Sequence, residues 1–243
     1  KEKTYIGTIQ LGIRTNTDDI HGEIIQRKEW PTITKKQLEE HLNLYRGTFD
    51  QIPPKVSSVH IQGERAYKKS LRNENFQIPS KSVHISELIL KKWDQTNGKI
   101  ELLIKCSAGT YIRSLARDLG STIKSEGCLY SLKRVESCGF TEKNSISINE
   151  LKNTNLDKND HIIPIINAMS HMPKYLLKSE EEYHFWETGR RIKIGMQEIL
   201  LNKEIKDQNI FIVVDINNEL LGIGIVIKDK EYHLQPKLVL NAK

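Results

Sequence analysis

Residues 105–119 constrain the fold of this chain more than any other stretch. An apolar run that ends at Ile104 leads, through a turn of small residues at Ser107–Thr110, into apolar positions that recur at helical spacing. The stretch therefore predicts a strand, a turn and a helix, with Thr110 as the N-cap that accepts a hydrogen bond from the first helical turn. The face of this helix predicted to enter a core carries Ile112, Leu115, Ala116, Leu119 and Ile123.

Arg113 lies in the first turn of the predicted helix, away from its apolar face. The helix dipole disfavours a cation at this position by about 0.3–1 kcal/mol, which suggests a fixed anion nearby, either a phosphate or a carboxylate. The alternative is a surface arginine with a local Asp or Glu partner, which would contribute little. Spacing alone leaves both interpretations open.

Composition favours a reduced, soluble protein with a polyanionic partner. There are 37 Lys and Arg against 31 Asp and Glu, giving a net charge of +6. The three cysteines form no C-x-x-C pair, which is typical of reduced thiols in the cytoplasm. No apolar run approaches the roughly 20 residues of a membrane span.

Most common catalytic motifs do not occur in the sequence. It has no H-E-x-x-H, no His and Cys spacing for zinc, no P-loop and no G-x-S-x-G. Gly222-Ile223-Gly224 lacks the third glycine of a dinucleotide fingerprint. What remains is a basic chain with interleaved tyrosines, a pattern typical of proteins that stack unpaired bases and contact phosphates.

Local signals predict most of the remaining elements. Alternation that places Tyr5, Gly7, Ile9 and Leu11 on one side indicates an N-terminal strand. A polar loop at Thr15–Gly22 and a short strand at Glu23–Gln26 follow, and then a helix that the capping box Thr34–Gln37 opens and Gly47 stops. Next come an extended segment at Gln51–Val59, a short basic helix after Gly63, and a hairpin at Thr96-Asn97-Gly98 whose Asn and Gly are both predicted to take positive φ. The remaining predicted elements are a strand at Leu129–Val135, a capped helix at Ser147–Glu150, and strands at Phe211–Val214, Leu220–Ile227 and Pro236–Leu240.

Four short stretches follow one another in a specific order. They are Lys3-Thr4-Tyr5 leading to Leu11-Gly12 and Thr15-x-Thr17-x-Asp19-x-x-Gly22; Ile52-Pro53-Pro54-x-x-Ser57 followed by Gly63-x-Arg65-x-Tyr67; Gly109-Thr110-Tyr111-Ile112-Arg113 with Asp118-Leu119-Gly120; and Leu132-x-Arg134. This order resembles the TruB-type tRNA pseudouridine synthases, and the tail resembles their small RNA-binding C-terminal domain. The resemblance covers almost the whole chain, with one minor departure at Asn16, where the family usually has an aspartate.

The resemblance implies an α+β fold and an isomerase. Residues 1–152 would form a pseudouridine-synthase-type mixed sheet with flanking helices, 153–170 a linker, and 171–243 a small β-rich, PUA-like domain. The implied activity is isomerisation of uridine 55 in the tRNA T-loop to pseudouridine by base flipping. The implied partner is the T-arm stem-loop of tRNA, bound in the cytoplasm by a monomer that uses no metal, no cofactor and no membrane.

The resemblance also assigns residues to the site. Tyr5 and Tyr111 would stack on or abut the flipped base, Leu132 would form an apolar wall, and Arg113 would pair with the catalytic aspartate. Thr17 and Asp19 of the polar loop would belong to the substrate-binding set. Candidates for phosphate contacts are Arg65, Lys68, Lys69, Arg72, Lys133 and Arg134, although a solvated helix face would explain the cations near residue 70 equally well.

The family's nucleophile has no counterpart in the sequence. That aspartate lies in a Gly-x-Leu-Asp-Pro motif shortly before the Lys-x-Tyr segment, and Asp18, Asp19 and Asp118 lack its flanking residues. We therefore expect the nucleophile upstream of Lys1, and a chain that binds T-arm RNA without isomerising it. The alternatives are a non-catalytic tRNA-binding or tRNA-folding protein that retains the base pocket, and a basic interaction domain whose tyrosines are core residues.

Overall fold

The computed structural model describes residues 2–153, 162–195 and 210–240. The chain divides into two compact units, Lys1–Ser145 and Ile146–Lys243, so the division precedes the boundary predicted at residue 152. Much of the linker predicted at 153–170 lies outside the described residues. No helix within the described ranges is both long and apolar enough to cross a membrane.

Along its described residues the first unit combines a large sheet with three α-helices and a short 3-10 helix at Glu142–Asn144. Its elements in order are β1 (Lys3–Leu11), β2 (Ile13–Thr15), β3 (Ile24–Arg27), α1 (Lys35–Asn43), β4 (Gly47–Gln51), β5 (His60–Ile61), β6 (Glu64–Arg65), α2 (Ala66–Leu71), β7 (Lys81–Asp94), β8 (Lys99–Cys106), α3 (Ile112–Thr122), β9 (Gly127–Ser137) and β10 (Phe140–Thr141).

The main sheet has the strand order β10-β9-β1-β8-β7-β4, with antiparallel pairing between neighbours. A parallel bridge joins Asp19 to Leu129 beside this sheet. One face is covered by α1 and α3, which bury Leu38, Leu42, Leu115 and other apolar side chains against the strands. The predicted alternation of β1 and the α+β class are both confirmed.

Helix α3 has the predicted apolar face but not the predicted cap. It begins at Ile112, with Tyr111 as an N-cap whose side chain makes no capping hydrogen bond. The N-cap prediction for Thr110 was wrong because the preceding turn uses that residue. Its N–H donates to the Ser107 carbonyl at 3.3 Å, and its hydroxyl pairs with the Ser107 hydroxyl at 3.2 Å.

The capping box at Thr34 and Gln37 is confirmed, but the helix it opens ends earlier than predicted. The chain leaves α1 at Leu44, which keeps right-handed helical φ and ψ, and Gly47, with φ +80°, opens β4 instead of stopping the helix. The strand predicted at Glu23–Gln26 is β3, shifted by one residue. Its partner β2 was not predicted, and only its last residue, Thr15, falls in the predicted loop.

The hairpin between β7 and β8 is confirmed, although only Gly98 takes positive φ (+61°). Asn97 is held instead by Asp94, whose carboxylate accepts from the Asn97 N–H at 3.1 Å and from its side-chain amide at 2.9 Å. A Cβ atom at position 98 would lie 2.7 Å from the Trp30 ring, so the glycine is also needed for close packing.

The second unit is β-rich, as predicted. Its elements are α4 (Ile148–Asn153), α5 (Ile165–Ala168), β11 (Lys174–Leu176), α6 (Glu180–Glu187), β12 (Ile192–Lys193), β13 (Ile210–Val214), β14 (Leu220–Lys228) and β15 (Tyr232–Val239). The sheet order is β11-β13-β14-β15-β12, and its core packs around Trp186, Phe211 and Leu234. The cap at Ser147 and Glu150 is confirmed by reciprocal hydrogen bonds of 2.9 and 3.1 Å.

Candidate active site

The start of α3 is anchored by the end of β4. The side-chain Oε1 of buried Gln51 accepts a hydrogen bond from the Tyr111 N–H at 2.9 Å, satisfying a donor that lies outside the helical ladder. One turn into the helix, the Ser114 hydroxyl donates to the Ile52 carbonyl at 2.8 Å. Gln51 was missed by sequence reasoning. Its signal was a polar residue directly before the Ile52-Pro53-Pro54 motif.

Arg113 projects from the first turn of α3 to two loops. Its guanidinium donates to the Thr17 carbonyl at 3.4 Å and to the Val56 carbonyl at 3.2 Å. Within the described residues it forms no ion pair, so the local carboxylate partner considered for it is not observed. Two carbonyl dipoles orient this side chain without neutralising its charge.

Tyr5 and Leu132 lie on neighbouring strands beside the start of α3. In the register of β1 with β9, Gly7 pairs with Leu132 and Tyr5 pairs with Arg134. A Cβ atom at Gly7 would lie 3.3 Å from Leu132 Cδ1 and 3.6 Å from Ile112 Cγ2. Leu132 is 45% exposed, which leaves an apolar side chain accessible next to the helix start.

The electrostatics around Tyr5 favour its neutral phenol. Burial raises the pKa of Tyr5, the nearby Cys106 adds to this shift, and the Arg134 guanidinium acts in the opposite direction. Burial likewise raises the pKa of Cys106, so its side chain is a neutral thiol near pH 7. All three cysteines are free thiols, as predicted.

The Thr15–Gly22 loop is held by its own hydrogen bonds and by β9. The buried Thr15 hydroxyl donates to the Asp19 carbonyl at 2.8 Å and accepts from the Asp19 N–H at 3.0 Å. The Ile20 N–H donates to the Leu129 carbonyl at 2.8 Å. The Thr17 hydroxyl and the Asp19 carboxylate also bond within the loop, so a substrate-binding role for these two side chains stays a prediction.

Arg117, one turn beyond Arg113, makes the densest set of charged contacts in this region. It donates to Asp18 Oδ2 at 2.9 Å, to Asp118 Oδ1 at 2.8 Å and to the Ile52 carbonyl at 2.8 Å. Burial raises the pKa of Asp18, while Arg117 and Arg14 act in the opposite direction. Sequence reasoning missed this pair because its members are 99 residues apart.

The cations predicted to contact phosphates fall into two groups. Those on and beside α2 include Lys69 and Arg72, which pair with Glu64 and Glu74. Arg65 and Lys68 are exposed and make no ion pair with any described residue. On β9, Lys133 pairs with Glu142 at 2.5 Å and Arg134 faces Tyr5. Surface pairs are weak, so the phosphate role stays a prediction for all six.

Comparison with protein families and curated relatives gives a consistent result. A family model described as "TruB family pseudouridylate synthase (N terminal domain)" matches residues 1–112. A tRNA pseudouridine synthase B from Prochlorococcus marinus (strain MIT 9515) is 54% identical over 241 residues, covering 99% of this chain and 79% of that protein. A tRNA pseudouridine synthase B from Synechococcus sp. (strain CC9311) is 41% identical over 246 residues, covering 100% of this chain and 78% of that protein.

Solved structures with a similar fold are more distant in sequence. A chain in the crystal structure of a Cbf5-Nop10-Gar1 complex superposes with a TM-score of 0.67 at 15% identity. A chain in an H/ACA RNP bound to a substrate RNA containing 2'-deoxyuridine gives 0.65 at 13% identity. In both cases 98% of this chain is covered, and it spans 66% of the matched chain. These similarities establish the fold.

Proposed function

Because this chain belongs to the TruB family of tRNA pseudouridine synthases, we propose that it isomerises uridine 55 in the T-loop of tRNA to pseudouridine. The observation that carries this proposal is the close approach of Ile112 and Leu132 above the same glycine of β1. Ile112 lies between Tyr111 and Arg113 in the sequence, so the backbone of these two residues lies close to the strands that bear Tyr5 and Leu132.

These side chains suit a flipped uracil. Tyr5 and Tyr111 offer aromatic faces for stacking, and the Tyr5 phenol stays neutral and able to donate a hydrogen bond. Leu132 supplies an apolar wall, and its exposed surface would be covered when a base enters. Enclosing the base excludes water, which would otherwise compete at the glycosidic carbon.

Arg113 is suited to hold the carboxylate of a nucleophilic aspartate, because its charge is oriented but not neutralised. The nearby aspartates are engaged elsewhere: Asp18 and Asp118 bind Arg117, and Asp19 bonds within its own loop. The proposal therefore takes the nucleophile from outside residues 1–243. It also includes a monomer that acts in the cytoplasm on the T-arm stem-loop, without metal or cofactor.

A tritium-release assay tests this function, because isomerisation replaces the C5–H bond of uridine by a bond to the ribose. The substrate is tRNA labelled with tritium at C5. The assay compares residues 1–243 with the same chain joined at Lys1 to a segment that carries a Gly-x-Leu-Asp-Pro motif. We expect both chains to bind T-arm RNA, but only the joined chain to release tritium. Changing the motif aspartate of the joined chain to asparagine should abolish the release.

The alternative is a tRNA-binding protein that catalyses no reaction. The bonding of Arg113 to backbone carbonyls alone is also compatible with this alternative. RNA binding by the joined chain without tritium release would support this alternative. Robust release by residues 1–243 alone would overturn the assignment of the nucleophile.

A further inference from the structure

Two arginines of α3, one helical turn apart, hold the same two loops. Arg113 bonds the Thr17 carbonyl of the first loop and the Val56 carbonyl of the second. Arg117 bonds Asp18, the next residue of the first loop, and the Ile52 carbonyl, which begins the second. Residues separated by four positions lie above one another on one face of a helix. Arg113 and Arg117 therefore each connect the same face of α3 to both loops.

We propose that Arg117, together with Asp18, is a positioning residue for Arg113. Arg117 fixes the two loops whose carbonyl oxygens orient the Arg113 guanidinium. The inference rests on the proposed role of Arg113 in uridine isomerisation.

On the first loop, the connection between the two arginines is a single peptide. The Thr17 carbonyl, which accepts from Arg113, belongs to the peptide that joins Thr17 to Asp18. Asp18 has φ +58°, a left-handed conformation that is uncommon for non-glycine residues, although aspartate adopts it more readily than most. Such a conformation persists where surrounding contacts impose it, and here the Arg117 ion pair is such a contact.

On the second loop, the connection passes through two prolines. Ile52 and Val56 are separated by Pro53, Pro54 and Lys55, and both prolines are buried. Each proline ring fixes φ near −65°, so a bond to the Ile52 carbonyl restricts where the Val56 carbonyl can lie. The Ser114 hydroxyl adds a second bond to the same Ile52 oxygen.

The Arg117–Asp18 pair is a weak source of stability, which favours a positional role. Burial disfavours the charged form of Asp18, and the attraction to Arg117 offsets this only in part. Replacing a buried ion pair by apolar residues is often neutral for stability, and conformational specificity is one reason such pairs are retained. Here the specificity concerns the two carbonyls that receive Arg113.

The test measures the order of the Arg113 side chain by ¹⁵N NMR of its guanidinium in residues 1–243. The two Nη atoms of Arg113 bond different carbonyls and should give separate signals, whereas free rotation averages them. We expect Arg117→Met to merge the signals, and Arg117→Lys to restore them only in part, because an ammonium cannot reproduce the planar fork that reaches three acceptors.

Arg46→Met is the matched control. Arg46 also joins a carboxylate, Glu39 at 2.8 Å, to a carbonyl of another element, Leu88 at 2.7 Å, and it lies outside the proposed site. It should leave the Arg113 signals separate. If Arg117→Met fails to fold, Asp18→Asn serves instead, since asparagine tolerates positive φ, and it should also merge the signals.

In the chain joined to the aspartate motif, Arg117→Met should lower the turnover number about 10- to 100-fold while leaving RNA affinity little changed, because a misplaced charge affects the reaction more than binding. Separate Arg113 signals in both Arg117→Met and Asp18→Asn would overturn the inference. A joined wild-type chain that makes no pseudouridine would overturn the proposed function, and the Arg113 signals would still decide the positioning role.

Discussion

Arg117 of α3 and Arg72, which directly follows α2, have the same local chemistry in different surroundings. Each binds two carboxylates at 2.6–2.9 Å. The Arg117 side chain is 16% exposed and its partner Asp18 is 10% exposed, whereas Arg72 is 50% and Glu64 33% exposed. Arg117 reaches 99 residues along the sequence to Asp18, and Arg72 only eight to Glu64.

The difference indicates that burial and sequence separation determine how strongly an ion pair constrains the fold. Around α3 the Arg117–Asp18 pair joins the Thr15–Gly22 loop to the helix beside the candidate active site. Around α2 the pairs are solvated, so they contribute little to stability. The predicted phosphate role of these cations would require an RNA phosphate to replace a carboxylate. The predictions below compare these two regions, beginning with the largest expected effect.

Packing around α3 should tolerate less change than packing before α2. A Cβ atom at Gly120 would lie 2.6 Å from the Glu126 carbonyl carbon, a backbone atom that no side-chain rotation can move away. Gly120→Ala should therefore lower the free energy of unfolding by about 3 kcal/mol, the upper end of the usual cost of overpacking. Gly63→Ala meets open space and should cost about 1 kcal/mol through its φ of +84°. Equal losses in urea denaturation would contradict this contrast.

Replacing each arginine in turn should change stability by different amounts in the two regions. Arg117→Met leaves Asp18 without its partner, and we expect a loss of about 2 kcal/mol in the free energy of unfolding. This is below the range for broken buried pairs, about 3–5 kcal/mol, because Asp18 can take up a proton. Arg72→Met should not measurably change the denaturation midpoint. A larger shift from Arg72→Met than from Arg117→Met would refute the comparison.

The two regions should also respond to pH with opposite sign. Because the pKa of Asp18 is raised in the folded state, that state keeps a proton that the unfolded chain has lost. Stability should fall as the pH rises from the ordinary carboxyl range, about 4, through the raised value. The charged groups facing Asp18 are Arg117, Arg14 and Asp118. Asp18→Asn should remove this dependence.

Hydrogen bonds from Arg72 lower the pKa of Glu64 and Glu74. Their contribution is therefore present above the unfolded carboxyl pKa, and it is lost as the pH falls through the folded values. Contact with solvent makes this contribution small, and Glu64→Gln should remove its share. Thermal unfolding across pH 3–7 measures both slopes, and slopes of the same sign would count against the assigned shifts.

RNA binding should show the smallest differences. Arg65→Ala and Lys68→Ala should each lower the slope of log K against log salt by about 0.7–0.9, since each removes an exposed cation that forms no ion pair with a described carboxylate. Arg72→Ala should lower it less, because its loss also leaves two glutamates, which repel phosphate, with Lys69 as their remaining ion-pair partner among the described residues. Titration of a T-arm stem-loop at several salt concentrations measures the slopes, and identical slopes for wild type and the Arg65 and Lys68 variants would exclude a phosphate role for those two.

The sequence predicted features that depend on local chemistry. The alternation in β1, the capping box at Thr34 and the hairpin at Gly98 are set by residues within a few positions of one another. The N-cap assigned to Thr110 was wrong even so, because Ser107 competes for the same hydroxyl. A motif can place a residue near a helix start without fixing its hydrogen bond.

The contacts that build the candidate site could not be read from spacing. Gln51 meets Tyr111 across 60 residues, and Asp18 meets Arg117 across 99. Both depend on how β4 and the polar loop are folded onto α3, which no local pattern specifies. Arg113 was predicted to have an anion nearby, but its observed partners are backbone carbonyls, which carry no sequence signature.

The most direct test of the central claim is tritium release from C5-labelled tRNA by the chain joined to a Gly-x-Leu-Asp-Pro segment, with and without Arg113→Gln. If Arg113 holds the nucleophilic carboxylate, its loss should lower the turnover number by about 10² or more, the usual cost of removing a preorganised charge. Arg46→Met should release tritium at the wild-type rate. Wild-type turnover by the Arg113→Gln chain would contradict the account.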